Sequence, residues 1–426
     1  VRRLLALLLF LLFADDAETT YAHHGVAALF GWVHDVEFMR LPIKVRPFDL
    51  FLLGALVASA VKGRRGASVA PVRHALLLQL VTLGIWFAYG LSQGGDARTA
   101  SWQTYLMVSS VALAFVLARH FRTAEHYALL GKALIAAAVY RAIMLWYAYF
   151  AVVRPGAIVP FPEFITSHDD SVLWVAAILL LVIHALHERS PIVTARCALL
   201  VLLFLGAILW NTRRLAWVSL GAGGVAMLAL VPSGRTRRRV IRYSLVFGPL
   251  LALYVAVGTG RSERIFKPLQ SITTVSTEED ASTKARNVEN LGLIATARAA
   301  GPWIGTGWGR PYKSLSDKYS IAQFFELWEY VPHNSILGLL AFTGILGFAG
   351  YWLPFPTAVF LNARLARLAP TPMARRCGML GAAFLIVCAN QLYGDMGLFY
   401  LKPMYVMSAC FAMAMRLPVA EGVWRS

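Results

Sequence analysis

The sequence predicts an all-α, polytopic membrane protein with about 12 transmembrane helices. Three observations carry this. The apolar fraction is 58% and charged residues are only 15%, against about 45–50% and about 25% in a typical soluble domain. Mean hydropathy is +0.61. Arginine clusters also recur between the apolar runs, in alternate loops. The net charge of +18 would suggest nucleic acid in a soluble chain. In a membrane protein it reads as topology, with no nucleic-acid partner and membrane lipid on the outer faces.

The apolar runs fall at 3–13, 48–62, 74–92, 103–118, 128–153, 171–187, 194–211, 215–232, 240–258, 333–361, 377–394 and 397–415. The first is short and follows Arg2 and Arg3, as in a signal peptide. The residues after it, FADDAETTYA, lack a small-x-small cleavage site, so a retained helix is the expectation. Basic residues then sort the loops. Lys62, Arg64, Arg65 and Arg73 follow the second run, and Arg119, His120 and Arg122 the fourth. Arg189 and Arg196 follow the sixth, Arg235 and Arg237–Arg239 the eighth, and Arg364, Arg367, Arg375 and Arg376 the tenth. These loops share one side, expected to be cytoplasmic and to hold both termini. Cys197, Cys377, Cys388 and Cys410 lie in or beside apolar runs without metal-ligand spacing. They read as small buried hydrophobes.

The organisation follows: nine helices in 1–258, an external cap in 259–332, and three helices in 333–426. The cap is the least apolar part of the chain. A structureless loop of that length is uncommon, so a structured cap is expected. STKARNVENLGLIATARAA has helical spacing, with Val288, Leu291, Ile294 and Ala295 on one face.

Polar residues on the external side are the candidates for chemistry. Arg213 and Arg214 enter the eighth helix, where positive charge opposes the helix dipole and positive-inside bias. They anchor the interface by snorkelling or bind an anion, and the anion is favoured. Arg286 in the cap would by default pair with Glu279, Asp280 or Glu289. Pro332-His333-Asn334 stands where the cap re-enters the membrane. A neutral imidazole there is suited to taking a proton from a sugar hydroxyl. Gly305-Thr306-Gly307-Trp308-Gly309 lacks the strand–turn–helix setting of a nucleotide loop. It reads as tight turns whose N–H groups are still available to a phosphate. Arg141 lies within a membrane helix, as a functional charge or an ion-pair strut. Asp395, between the last two helices, is a partner for an arginine or a sugar. His23, His24, His168, Asp169 and Asp170 read as solvated loop residues with no persuasive metal site.

This order of motifs resembles the O-antigen ligase and polymerase family of bacterial surface-polysaccharide enzymes. The match rests on Arg214-Leu-Ala-Trp217 opening a helix, the long external loop, Gly305-x-Gly307-x-Gly309, and His333-Asn334 followed by LGLLAFTGILG. It covers about residues 195–355. Arg213 departs from it where a small residue is usual, as does Ser335-Ile336 where an aromatic is common. The resemblance implies a glycosyltransferase of the GT-C type in the bacterial inner membrane, with its site facing the periplasm and no metal or other cofactor. The donor would be a glycan on undecaprenyl diphosphate, and the acceptor a glycan or lipid A–core. Other polysaccharide-assembly proteins are further implied partners. By position, Arg214 and Arg286, with Arg213 beside them, would bind the diphosphate. His333 would be catalytic, with Asn334, Gly305, Gly307, Arg141 and Asp395 in support.

Polymerase and ligase would share these residues and differ in acceptor. From another class, about a dozen helices would suit a secondary transporter or lipid-glycan flippase. Such proteins carry midplane charges, and here the midplane offers mainly Arg141.

Overall fold

The computed structural model describes residues 1–15, 47–61, 68–156, 165–231, 234–259, 261, 263–266, 269, 281–316 and 327–425. Lys62, Arg64, Arg65, His23, His24, Glu279 and Asp280 lie outside them. The described residues form helices without strands. In chain order these are α1 (Arg2–Ala14), α2 (Pro47–Val61), α3 (Ala70–Ser92), α4 (Ala97–His120), α5 (Ala124–Ala148), α6 (His168–His187) and α7 (Pro191–Trp210). There follow α8 (Arg214–Leu230), α9 (Arg235–Gly258), α10 (Ala281–Ala300), α11 (Ser335–Trp352), α12 (Pro354–Leu368), α13 (Pro372–Gly394) and α14 (Leu401–Ala420). The protein is an all-α polytopic membrane protein. Nine spans among the described residues are long and apolar enough to cross a bilayer, α11 and α12 counting as one, while α2 and α8 are shorter apolar helices.

Local sequence explains where several helices begin. Asp96, Ser190, Asn334 and Thr371 each accept a backbone N–H of the first turn, at the starts of α4, α7, α11 and α13. Such a cap is worth about 1 kcal/mol. α7, α12 and α13 also carry proline in the first turn, where its missing N–H costs no bond.

The run 333–361, read as one helix, is two. Pro354 starts α12 directly after α11, and Gly344 breaks α11 internally with φ +60°. The break leaves carbonyls and amides for a second segment. Thr306 and Gly307 donate to the carbonyls of Ala341 and Phe342 at 3.1 and 2.8 Å, and Ile345 donates to that of Pro302 at 2.8 Å. Backbone polar groups inside a membrane protein need such partners.

α6 and α14 are the most enclosed spans. α13 packs against both, and against α8 and α12. The four cysteines are buried thiols.

Contacts sort the loops onto two ends. At one end Arg2 meets His126, Arg239 donates to the Leu186 carbonyl, and Arg367 donates to that of Ala229. There too the Thr371 hydroxyl donates to Glu421, and Val69 donates to the Met415 carbonyl. These are the arginine-rich alternate loops, brought together as a basic end. At the opposite, cap end Asp96 donates to Gly309 O at 2.9 Å, and Gln103 Nε2 to Tyr330 O at 2.7 Å.

Candidate functional site

The cap helix α10 is the arm that assembles the site. Its buried positions are Glu289, Gly292, Leu293 and Thr296, whereas Leu291 is 58% exposed. The expected apolar face is therefore wrong. The face is set by backbone and polar partners. A Cβ on Gly292 would stand 2.4 Å from the Lys313 carbonyl, and Thr296 Oγ1 accepts from Lys313 N at 2.8 Å. That rotation aims Glu289 inward. Arg286, three residues earlier, shares its side of the helix.

Glu289 does not pair with Arg286 as the sequence suggested. Its carboxylate takes both hydrogen-bond donors of His333. Oε2 lies 2.8 Å from Nδ1, and Oε1 accepts the backbone N–H. The Glu289 side chain is 1% exposed and that of His333 21%. A carboxylate only accepts, so Nδ1 carries a proton, and in the neutral imidazole the lone pair is then on Nε2. Trp328 stands edge-on to the imidazole, ring centroids 5.6 Å apart. Asn334, next in sequence, caps α11 and so fixes the chain at His333.

Arg286 reaches the other side of the site. Its Nη1 donates to the Gly394 carbonyl at 2.9 Å, at the C-terminus of α13. Asp395 follows and hydrogen-bonds His168 Nδ1 at 3.0 Å. The far nitrogen of His168 contacts Arg213. Burial alone would raise the Asp395 carboxyl. The hydrogen bond from His168 and the nearby charge of Arg286 hold it well below the ordinary carboxylate range. The Asp395 carboxylate thus lies among His168, Arg286 and His333, with Arg213 behind His168. Ser335 ties the two halves, its hydroxyl 3.4 Å from the Asp395 carbonyl.

His168, Asp169 and Asp170 are not solvated loop residues. They form the first turn of α6, where acidic side chains complement the helix dipole. Asn211 holds the preceding loop. It accepts from Ile165 N and Thr166 N at 3.1 and 3.0 Å, and donates to Ser167 O and Ser171 Oγ at 3.2 and 3.0 Å. The next turn starts α8 with Arg213 beside His168. Below them, Asp170 bonds Arg141 at 2.7 Å and also Lys402, while Lys402 bonds Asp169 at 3.2 Å. Two acids and two bases close a buried, formally neutral cluster. Arg141 is the ion-pair strut of the two roles open to it.

Two further candidates occupy different positions from those expected. Arg214 is exposed on the first turn of α8, so Arg213 is the member of the pair that reaches the histidine. In the glycine run, Gly305, Gly307 and Gly309 have φ between +70° and +83°, which favours glycine. A Cβ on Gly307 would lie 2.3 Å from Gly90 Cα. The three N–H groups donate to Gly301 O, Phe342 O and Gln103 Oε1. The last two lock the cap onto α11 and α4, and with all three N–H groups engaged they are removed as phosphate donors. Among the described residues no group of three His, Cys, Asp or Glu side chains could hold a metal.

Residues 174–352 match the family model of O-antigen ligases. That segment is an O-antigen ligase domain within the longer chain. No curated protein matches it. The O-antigen ligase domain contains Arg213, Arg286, Glu289 and His333, and supports a role in surface-polysaccharide assembly for a chain with membrane-spanning helices. His168 and Asp395 lie outside the matched residues and join the domain's arginines in space.

Sequence reasoning missed Glu289 as the partner of His333, and His168 as the bridge between Asp395 and Arg213. It also missed Asn211 and Lys402. A lysine inside the 397–415 apolar run was a usable signal, since a charge there needs a partner.

Proposed function

We propose that this chain is a membrane glycosyltransferase, moving a glycan from a lipid diphosphate to a sugar hydroxyl. The observation that carries this is the Glu289–His333 pair set against the Arg213–His168–Asp395–Arg286 cluster. One side offers a base with a defined tautomer. The other offers positive charge for a leaving group.

In the reaction, His333 Nε2 accepts the proton of the acceptor hydroxyl. That oxygen forms a bond to the anomeric carbon on the face opposite the diphosphate. The anomeric carbon–oxygen bond breaks, and its electron pair leaves on the diphosphate. Attack from the opposite face inverts the anomeric centre. Glu289 keeps the ring in register and stabilises the imidazolium that forms, as the aspartate does in a Ser-His-Asp triad. Arg213 and Arg286 stabilise charge as it builds on the diphosphate. The diphosphate is already a good leaving group, so orientation and charge are the main needs. By the positive-inside bias the basic end is cytoplasmic, and the site faces the outer leaflet, where an undecaprenyl-linked glycan would be presented.

The test is turnover of purified protein with a lipid-diphosphate glycan donor. His333→Ala should lower the rate about 10²–10⁴-fold, and unchanged turnover would remove the base. Deleting the gene separates the two acceptor classes. Single lipid-linked repeats accumulate if the chain polymerises, and long lipid-linked chains beside bare lipid A–core accumulate if it ligates.

A further inference from the structure

At the basic end, far from the reaction, α3, α4 and α14 enclose a cavity of about 460 Å³. That volume lies within the roughly 300–1,000 Å³ range of small-molecule sites. Its polar wall is Arg73, His74, Arg119, Arg122 and Arg416, with no aspartate or glutamate among the described lining residues. The arginines come from three segments: the start of α3, the end of α4 with the α4–α5 turn, and the last turns of α14. Arg119 and Arg122 lie close enough to Arg416 for their charges to repel. Three helices therefore converge a set of like charges on one hollow.

Apart from Ser68, the remaining lining is apolar, formed by Leu77, Phe115, Ala118 and Met415. Leu77 also begins a row on the outer face of α3. Leu77, Val81 and Ile85, spaced four apart, are 45%, 55% and 55% exposed. Such a stripe on a spanning helix faces acyl chains. A charged hollow thus opens beside a hydrocarbon track.

We propose that this cavity binds an anionic phospholipid, its phosphates among the arginines and its acyl chains along Leu77–Ile85. Arginine forks match phosphate oxygens, and juxtamembrane basic pockets collect anionic headgroups of the cytoplasmic leaflet. A lipid with two phosphates suits the number of arginines. The inference does not depend on the glycosyl-transfer reading.

The experiment is native mass spectrometry of the full-length protein, titrated with diphosphatidylglycerol, phosphatidylcholine or inorganic phosphate. Wild type should hold diphosphatidylglycerol in preference to phosphatidylcholine. Arg122 is exposed, so R122Q removes a pocket charge without opening the core. It should weaken binding about fivefold, the usual effect of one basic residue near a charged leaflet. Arg98→Gln is the control for bulk charge, at the exposed start of α4 on the cap end, and should bind as wild type. Equal affinity of R122Q and wild type would overturn the site, as would equal weakening by R98Q. Equal retention of phosphatidylcholine would overturn the anionic preference. Displacement of the lipid by inorganic phosphate at comparable concentration would assign the arginines to a soluble phosphate and overturn the lipid.

Discussion

Replacing Glu289 by Gln isolates the orientation of His333 from everything else in the cap. The native carboxylate has two acceptor oxygens facing two donors, the His333 amide and Nδ1. Gln offers one acceptor and one donor in the same shape. The amide N–H can only donate, so the Gln oxygen must face it and the NH₂ must face the ring. His333 then takes the other tautomer, with Nδ1 accepting and Nε2 protonated. Every buried donor keeps a partner, so the melting temperature should stay near wild type. The base, however, now points a proton at the acceptor hydroxyl. Losing general-base catalysis costs about 10²–10⁴ in rate, or about 3–5 kcal/mol of barrier. Glu289→Ala, by contrast, strands two donors at about 1–3 kcal/mol each and should lower stability as well as rate. The assay is kcat of purified protein with a lipid-diphosphate glycan donor, with melting curves alongside. Wild-type kcat in Glu289→Gln would refute the assignment of Glu289 as the group that orients the base.

Three other outcomes follow from the same geometry. Arg286→Lys retains a charge able to reach the Gly394 carbonyl but loses the planar fork, so turnover should fall at least about tenfold. Near-wild-type turnover in purified protein would make Arg286 a mere anchor of the α13 end. Asp395 has a depressed pKa in the fold, so its stabilising contribution is present above the unfolded value, about 3.9, and lost only as pH falls through the lower folded value. The melting-temperature gap between wild type and Asp395→Asn should not shrink from pH 7 to pH 5, and a shrinking gap would contradict its low pKa. Gly307→Ala places a Cβ against Gly90 at φ +82°, where strain exceeds about 1 kcal/mol. The melting temperature should drop, and turnover with it, because the glycine run docks the cap that carries Glu289 and Arg286.

The membrane fold was legible because its signal is local. Most of the apolar runs are long enough for one span, and arginines mark alternate loops whatever their distant neighbours are. The break at Gly344 was less legible, since a helix-period count does not register a residue whose carbonyl partners come from the cap. The start of α12 was signalled by Pro354 in WLPFP, which the count of apolar residues overrode. In α10 the helix was legible and its buried face was not. Hydrophobic spacing presumes an apolar core, whereas α10 lies against backbone and a histidine, so Glu289 turns inward and Leu291 outward.

The site divides along the same line. His333 and the arginines were legible as residues out of place for their side of the membrane. Their partners were not, because pairing here is long-range. Glu289 is 44 positions from His333, and Asp395 is 227 from His168. What joins them is the first turn of α6. His168 faces Arg213 and Asp395, while the next two residues anchor to Arg141 and Lys402. Replacing one partner of such a buried group leaves an uncompensated charge, at about 3–5 kcal/mol. The turn that aims His168 is therefore held by two charges buried among the membrane helices. Arg141 and Lys402 belong to the site by rigidity, with their charges already matched by Asp169 and Asp170. In the proposed reaction it is Arg213 and Arg286 that would meet the charge of an incoming donor.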